Sequence, residues 1–198
     1  RSRLVMKHSI QQEFRGVATF VGSLWVIFLI GSLLPVSLTA WGIVPRTWWG
    51  LFGIPLAPFL HLGLGHLVSN TIPLLVLLSL LAGSRTNTWG TVAEIILLSG
   101  GLLWLVGRSA VHVGASGLIY GLIAFLIVSG FREKRIVPLL VAILVGFLYG
   151  GTLLSGILPT AGPQVSWDGH LSGAVAGSAL GYFTVAGDTR DTASLPGP

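Results

Sequence analysis

The stretch GASGLIYGLIAFLIVSGFREKR, residues 114–135, joins a long apolar run to a basic cluster at its C-terminal end. From Ser116 to Phe131 a helix with a rise of 1.5 Å per residue is about 24 Å long, which is less than the roughly 30 Å hydrocarbon core of a bilayer. If Arg132 marks the inner boundary, Ser116 lies within the membrane thickness. It then stands at a helix N-terminus, where backbone N–H groups lack intrahelical partners.

The composition of the whole chain agrees with a membrane protein. Of its 198 residues, 53% are hydrophobic and only 9% are charged, whereas soluble domains carry about 25% charged residues. So few charges cannot coat a water-facing surface. The net charge of +5 comes from basic residues that lie between apolar runs, which favours membrane topology over nucleic-acid binding. The absence of cysteine excludes disulfides, cysteine zinc sites and thiol nucleophiles.

Six apolar segments predict an all-α, polytopic membrane bundle of six transmembrane helices. The segments cover approximately residues 18–38, 66–83, 92–107, 115–131, 136–158 and 169–186. We therefore expect a six-helix domain over residues 18–186, with tails at 1–17 and 187–198. Residues 39–65 are interrupted by prolines and contain three tryptophans, so they are predicted to be an interfacial loop and not a spanning helix.

The distribution of basic residues predicts the topology. With the N-terminus inside, nine basic residues lie on the inner side, and only Arg46 and Arg108 lie outside. This satisfies the positive-inside rule. We expect both termini to be cytoplasmic and the tryptophan-rich loop to be external.

Several polar residues lie in or beside the apolar segments. His66 and Asn70, spaced i and i+4, share one helix face; they are either interhelical hydrogen-bonding groups or anion-binding donors. Thr91 and Glu94 are read as a capping box at a helix start. His61 and His112 are expected at the wet outer rim, because no HExxH pattern or carboxylate set supports a zinc site.

Glycine spacing predicts which helices meet. His170 is followed by Gly173 and Gly177, spaced four apart on one face, and Gly117 and Gly121 form a similar face beside Ser116. Packing these faces together brings Ser116 next to His170. Such a pair is either a hydroxyl activated by a general base or a structural hydrogen bond without chemistry.

Two further features bear on this pair. The Ser116 amide with the His66 and Asn70 side chains would form an oxyanion hole, and polar groups at membrane depth are usually functional. Asp168 is expected to cap the last helix and not to orient His170, since residues i and i+2 of a helix point apart.

Three motifs resemble those of the rhomboid intramembrane serine proteases. GASGLIYG resembles their GxSG motif, HLGLGHLVSN resembles HxxxxHxxxN, and GHLSGAVAG resembles the histidine and GxxxG of the sixth helix. The resemblance covers the chain from about residue 20 to 186, with the three motifs in the family's order.

The resemblance implies roles for individual residues. Ser116 would be the nucleophile and His170 the general base, without an essential aspartate. His66 and Asn70 would bind the oxyanion together with the Ser116 amide, Gly114 belongs to the same binding motif, and Tyr120 would stack on His170.

The resemblance also implies a substrate and a location. Substrates would be single-pass membrane proteins, cut in or near a transmembrane helix with a small residue at the cleaved position. No cofactor, metal or nucleic acid is implied, and the partners are membrane substrates and lipid. The short single-domain form suggests a prokaryotic plasma membrane, with the site opening outward.

One alternative is a rhomboid-like pseudoprotease that binds membrane clients, although such proteins typically lack the serine or the histidine. A small transporter is less favoured because no internal repeat is visible.

Overall fold

The computed structural model describes residues 10–84, 87–161 and 165–193. Its helices are α1 (Ile10–Leu33), α2 (Gly53–Leu56), α3 (Leu64–Ser84), α4 (Thr88–Val106), α5 (Ser116–Arg132), α6 (Ile136–Gly156) and α7 (Trp167–Ala193). The described residues contain no β-strand, and an isolated antiparallel bridge pairs Ile43 with His112. The predicted all-α bundle is confirmed.

The six long helices coincide with the six predicted segments, but the outermost ends differ. Helix α1 begins at Ile10 and α7 continues to Ala193, so part of each predicted tail is helical. Apolar patterning marks only the part of a helix in hydrocarbon, and polar residues continue the helix beyond it without breaking its backbone hydrogen bonds. Residues 1–9 and 194–198 lie outside the described residues.

The long helices expose apolar side chains to their surroundings. Four of them, α1, α3, α4 and α6, are long and apolar enough to cross a membrane, with mean hydropathies from 1.7 to 2.2. Leu33 and Phe147 are each 86% exposed. Apolar surfaces of this extent are stable in lipid and not in water. The protein is therefore an integral membrane protein.

Helix α5 is the centre of the bundle. Leu122, Ile123, Phe125 and Leu126 are at most 2% exposed, because α3, α4, α6 and α7 surround this helix. A helix that is apolar on every face is expected at such a position. The start of α5 is consequently held by neighbouring helices on several sides.

Glycines allow α5 and α7 to approach closely. A Cβ atom at Gly173 would overlap the carbonyl of Gly117, and one at Gly177 would overlap the carbonyl of Gly121. This is the pairing that the glycine spacing predicts. It sets the first turn of α7 beside the first turn of α5.

The segment between α1 and α3 contains only short helical elements, none of them long enough to span a membrane. Besides α2 it contains 3₁₀ turns at Leu38–Trp41, Trp49–Leu51 and Ala57–Phe59. Trp41, Trp48 and Trp49 are all more than half exposed, as expected of side chains at a membrane interface. The indole of Trp104 donates to the Thr47 carbonyl at 2.7 Å, which fastens this segment to the end of α4.

The predicted capping box at Thr91 and Glu94 is wrong. Helix α4 begins three residues earlier, at Thr88, and Asn87 precedes it. The Thr91 hydroxyl donates to the Asn87 carbonyl at 3.0 Å. A threonine inside a helix can bond to the carbonyl four residues back, so this sequence pattern alone does not locate a helix start.

Candidate active site

Ser116 is the first residue of α5 and follows a turn that requires glycine. Gly114 has a φ of +109°, a backbone conformation that residues other than glycine rarely adopt. Its amide donates to the Ala57 carbonyl at 2.9 Å. A Cβ at Gly114 would lie 2.6 Å from Cε1 of His66. The glycine therefore lets the His66 ring approach the backbone immediately before Ser116.

His170 is buried in the first turn of α7 and is oriented by a backbone carbonyl. Its Nδ1 lies 3.0 Å from the oxygen of Gly156. Because a carbonyl oxygen only accepts hydrogen bonds, Nδ1 carries the proton and Nε2 has a free lone pair. Gly156 is the last residue of α6, where carbonyls lack intrahelical partners. The end of α6 thus selects the tautomer in which Nε2 can accept a proton.

Tyr120 stacks on His170, with ring centroids 4.0 Å apart and an interplanar angle of 7°. The Tyr120 hydroxyl donates to the Thr152 carbonyl at 3.0 Å. A Cβ at Gly156 would overlap that same hydroxyl. The last turn of α6 therefore positions both rings, and the stacking expected from the resemblance is present.

Ser116 and His170 lie on helices that touch at the adjoining residues, since Gly117 follows Ser116 and Gly169 precedes His170. A Cβ at Gly117 would lie 3.5 Å from the oxygen of Gly169. Within the described part of the chain, neither Oγ of Ser116 nor Nε2 of His170 is hydrogen-bonded. Catalytic hydrogen bonds are often loose in the absence of substrate and tighten when it binds. Both atoms therefore keep their hydrogen-bonding capacity for another partner.

His66 and Asn70 occupy the N-terminal part of α3, on the side of Gly114. Asn70 is 3% exposed, and its Nδ2 donates to the His66 carbonyl at 2.7 Å. A carboxamide has two N–H groups, so the second one remains for another acceptor. The rings of His61 and His66 meet edge to face with centroids 5.1 Å apart.

A small cavity adjoins Ser116. Its volume is about 40 Å³, and its lining includes Ser116, Gly117, Ile96, Ser99 and Leu103. A cavity of roughly 10–15 Å³ already holds one water molecule. The space beside Ser116 therefore accommodates a small group.

Asp168 binds Arg108, whereas Nδ1 of His170 bonds the Gly156 carbonyl and not this carboxylate. Its carboxylate accepts from the Arg108 amide at 2.9 Å, from the Arg108 guanidinium at 3.2 Å and from the Ser166 hydroxyl at 3.2 Å. Helix α7 begins at Trp167, one residue before Asp168, so Asp168 is not the N-cap. It instead ties the start of α7 to the segment after α4.

Three further residues were wrongly predicted or missed. His61 and His112 are only 6% and 4% exposed, so they do not lie at a wet rim; His112 bonds Ser166 and the Arg108 carbonyl. The role of Arg108 was missed. As one of two basic residues on the predicted outer side, it could have been recognised as needing an acidic partner.

The contacts of Asp168 predict the behaviour of Asp168→Asn. We expect a lower melting temperature, since Asn carries no charge to pair with Arg108, while the rate of covalent labelling at Ser116 falls by less than about tenfold. Differential scanning fluorimetry and labelling with a fluorophosphonate check both quantities. A folded Asp168→Asn protein that is as inactive as His170→Ala would instead place Asp168 in the base machinery.

Comparison with known proteins assigns this arrangement to a family. The model of the Rhomboid domain matches residues 45–187, well over half of the chain and the whole site. The chain belongs to the rhomboid family. Among its relatives, this rhomboid is 43% identical over 185 residues to uncharacterized protein Rv1337 of Mycobacterium tuberculosis, covering 88% of this chain and 76% of the relative. It is 40% identical over 187 residues to uncharacterized protein ML1171 of Mycobacterium leprae, covering 89% and 73%.

Proposed function

We propose that this rhomboid is an intramembrane serine endopeptidase that hydrolyses peptide bonds in or near the transmembrane helices of single-pass membrane proteins. Ser116 is the nucleophile and His170 the general base. The observation that carries the proposal is the hydrogen bond from Nδ1 of His170 to the Gly156 carbonyl at 3.0 Å. It leaves Nε2 unprotonated at the start of α7, beside the first turn of α5.

In this mechanism, Nε2 takes the proton of Ser116 Oγ as the oxygen attacks the scissile carbonyl carbon. Nδ1 keeps its proton and continues to donate it to the Gly156 carbonyl, which stabilises the imidazolium at the negative end of the α6 dipole. Nε2 then donates its proton to the leaving amine, and water hydrolyses the acyl-enzyme. The carbonyl thus does for His170 what an aspartate does in a Ser-His-Asp triad.

The developing oxyanion would be bound by groups that surround Ser116. The Ser116 amide lies at the N-terminus of α5, where N–H groups are unpaired and the helix dipole is positive. The second N–H of Asn70 and the ring of His66 supply side-chain donors. The cavity of about 40 Å³ beside Ser116 supports a small side chain at the cleaved position.

The orientation follows from the charge distribution. We place both termini in the cytoplasm and the segment between α1 and α3 on the outer side, so that the site opens outward. Relatives in mycobacteria agree with a bacterial plasma membrane. The partners are membrane-protein substrates and lipid.

The proposal is tested by reconstituting the full chain in lipid vesicles with a single-pass substrate whose helix contains small residues. Mass spectrometry of the products identifies cleavage, and a fluorophosphonate adduct on the Ser116 peptide identifies the nucleophile. A folded protein that neither cleaves nor labels would favour the client-binding alternative. That alternative is disfavoured by the presence of both Ser116 and His170.

The role of α6 predicts the behaviour of Gly156→Ala. The added methyl overlaps the Tyr120 hydroxyl, so the tyrosine ring must shift, and the His170 ring that stacks on it is displaced from the Gly156 carbonyl. Misplacement by about 1 Å can cost roughly 10²-fold in rate, and we expect a loss of this order in labelling. Nitrogen NMR of the imidazole should also show that His170 no longer holds its proton only on Nδ1.

Two comparisons make the Gly156→Ala test specific. Gly151→Ala lies on the same helix with nothing within 4 Å of the new methyl, and it should label at the parental rate. Adding Tyr120→Phe to Gly156→Ala removes the atom closest to the methyl and should restore part of the rate. Parental labelling and an unchanged tautomer in Gly156→Ala would contradict the positioning role of α6.

A further inference from the structure

A second pocket lies between the C-terminal end of α1 and the segment that leads into α3. It has a volume of about 250 Å³, and its lining includes Phe28, Ser32, Ser37, Thr39, Phe59 and His61. It shares no lining residue with the cavity beside Ser116. Since a water molecule takes up about 30 Å³ in the liquid, the pocket has room for a ligand fragment of several heavy atoms.

His61 is the unexplained group in this pocket. It is 6% exposed, and neither ring nitrogen has a hydrogen-bond partner of acceptable geometry among the described residues. Burial, and secondarily the neighbouring His66, lower the pKa of His61 from 6.5 to about 4, although the Phe59 carbonyl opposes this. At neutral pH the ring therefore presents one donor and one acceptor. Leaving both unsatisfied in a buried site is costly.

Hydroxyl groups form the rest of the polar lining. Ser37 and Thr39 are joined by a hydrogen bond of 2.7 Å between their side-chain oxygens. Ser32 donates to the Phe28 carbonyl at 2.8 Å, so its oxygen can still accept. Ser32 and Ser37 are exposed and Thr39 is half-buried, whereas His61 is buried. The hydroxyls therefore lie toward the mouth and the imidazole lies deeper.

The chemistry of the lining restricts the ligand. The described residues that line the pocket include no Asp, Glu, Lys or Arg, so no charged side chain there would neutralise a phosphate or a carboxylate. A neutral imidazole and three hydroxyls instead fit the hydroxyl and ester oxygens of an uncharged molecule. The ligand must both donate to and accept from His61.

The surface around the pocket indicates where such a molecule comes from. Leu29, Leu33, Leu62 and Leu64 are between 57% and 86% exposed, on the two elements that form the pocket walls. An apolar surface of this kind on a membrane protein is covered by acyl chains. An occupant held by polar groups in the pocket and continuing over this surface is an amphiphile with an uncharged head.

We propose that this pocket binds the glycerol end of an uncharged membrane lipid of the diacylglycerol type. The free hydroxyl and an ester oxygen of the lipid satisfy the two nitrogens of His61, Thr39 and Ser32 bind at the mouth, and the acyl chains lie along α1. The site goes beyond the proposed protease function. Its occupancy does not depend on Ser116.

Native mass spectrometry of the full chain in detergent tests the proposal with 1,2-dioctanoylglycerol as the probe. We expect one probe molecule per chain, and roughly tenfold weaker binding of dioctanoyl phosphatidic acid and of the diacylglycerol acetylated at its free hydroxyl. His61→Leu should weaken binding of the probe by a similar factor. Ser116→Ala should bind it normally, so that failure of the lipid site and failure of the protease assignment are distinguishable.

Matched variants guard against a folding defect in His61→Leu. Thr39→Val removes one hydroxyl at the mouth and should also weaken binding of the probe. Thr184→Val removes an exposed hydroxyl of α7 that donates to the Leu180 carbonyl, and it should leave binding of the probe unchanged. Absence of a probe complex with the folded parent would overturn the proposal. Equal binding of the three lipids, unaffected by His61→Leu and Thr39→Val, would mean non-specific lipid contact and would overturn it as well.

Discussion

Replacing Ser116 with alanine is expected to lower peptide-bond hydrolysis by at least about 10⁴-fold, because the acyl-enzyme can no longer form. His170→Ala should have an effect of the same order, since Oγ then has no base to take its proton. When two residues act as one unit their losses do not add. The double variant should therefore be no slower than either single variant.

The measurement is the initial rate of substrate cleavage in vesicles, with fluorophosphonate labelling as a second readout. Ser155→Ala is the matched control, because Ser155 is an exposed serine near the end of α6 whose hydroxyl donates to the Thr152 carbonyl. It should retain the parental rate. Cleavage by Ser116→Ala at the parental rate would refute the assignment of the nucleophile. A double variant whose loss of rate equalled the product of the two single losses would refute the dyad.

Gly177→Val is expected to prevent the native packing of α5 on α7. Even a single methyl at Gly177 would overlap the carbonyl of Gly121, and the obstructing atoms belong to a helix backbone that cannot move aside as a side chain can. Overpacking of a well-packed core costs about 1–3 kcal/mol and occasionally more. We expect Gly177→Ala to lose about 3 kcal/mol of unfolding free energy, and Gly177→Val to yield no folded protein.

Gly150→Ala is the comparison for this experiment, because a Cβ at Gly150 on α6 has no atom within 4 Å. It should leave the melting temperature unchanged or raise it slightly, since alanine has the higher helix propensity. Thermal unfolding in detergent, with size-exclusion chromatography of the purified proteins, distinguishes the variants. A Gly177→Ala protein as stable as Gly150→Ala would show that α5 and α7 do not need this close contact.

The helices and their partners were largely predictable from local pattern. Apolar runs located all six long helices, because a backbone in lipid must satisfy its own hydrogen bonds. Glycines at spacing four on two segments predicted that α5 packs on α7, because such a spacing forms one continuous smooth face. That contact brings the first turns of the two helices together, and with them Ser116 and His170.

The helix ends were less predictable, because residues beyond the hydrocarbon need not be apolar. Ile10 and Ala193 extend the first and last helices past the predicted limits. Thr91 shows the same difficulty, since its hydroxyl serves equally well inside a helix as at its start. Local composition therefore predicts whether a segment lies in the hydrocarbon better than it predicts the residues at which its helix begins and ends.

The partners of the site residues depended on three-dimensional packing. The group that orients His170 is the carbonyl of Gly156, and a backbone carbonyl is present in every residue, so no sequence pattern marks it. Arg108 and Asp168 are 60 residues apart. They pair because the segment after α4 lies against the start of α7. The unpartnered ring of His61 likewise depends on how the preceding segment folds against α1. Composition and spacing reveal which residues bear chemistry, whereas the atoms they bind depend on contacts between distant segments.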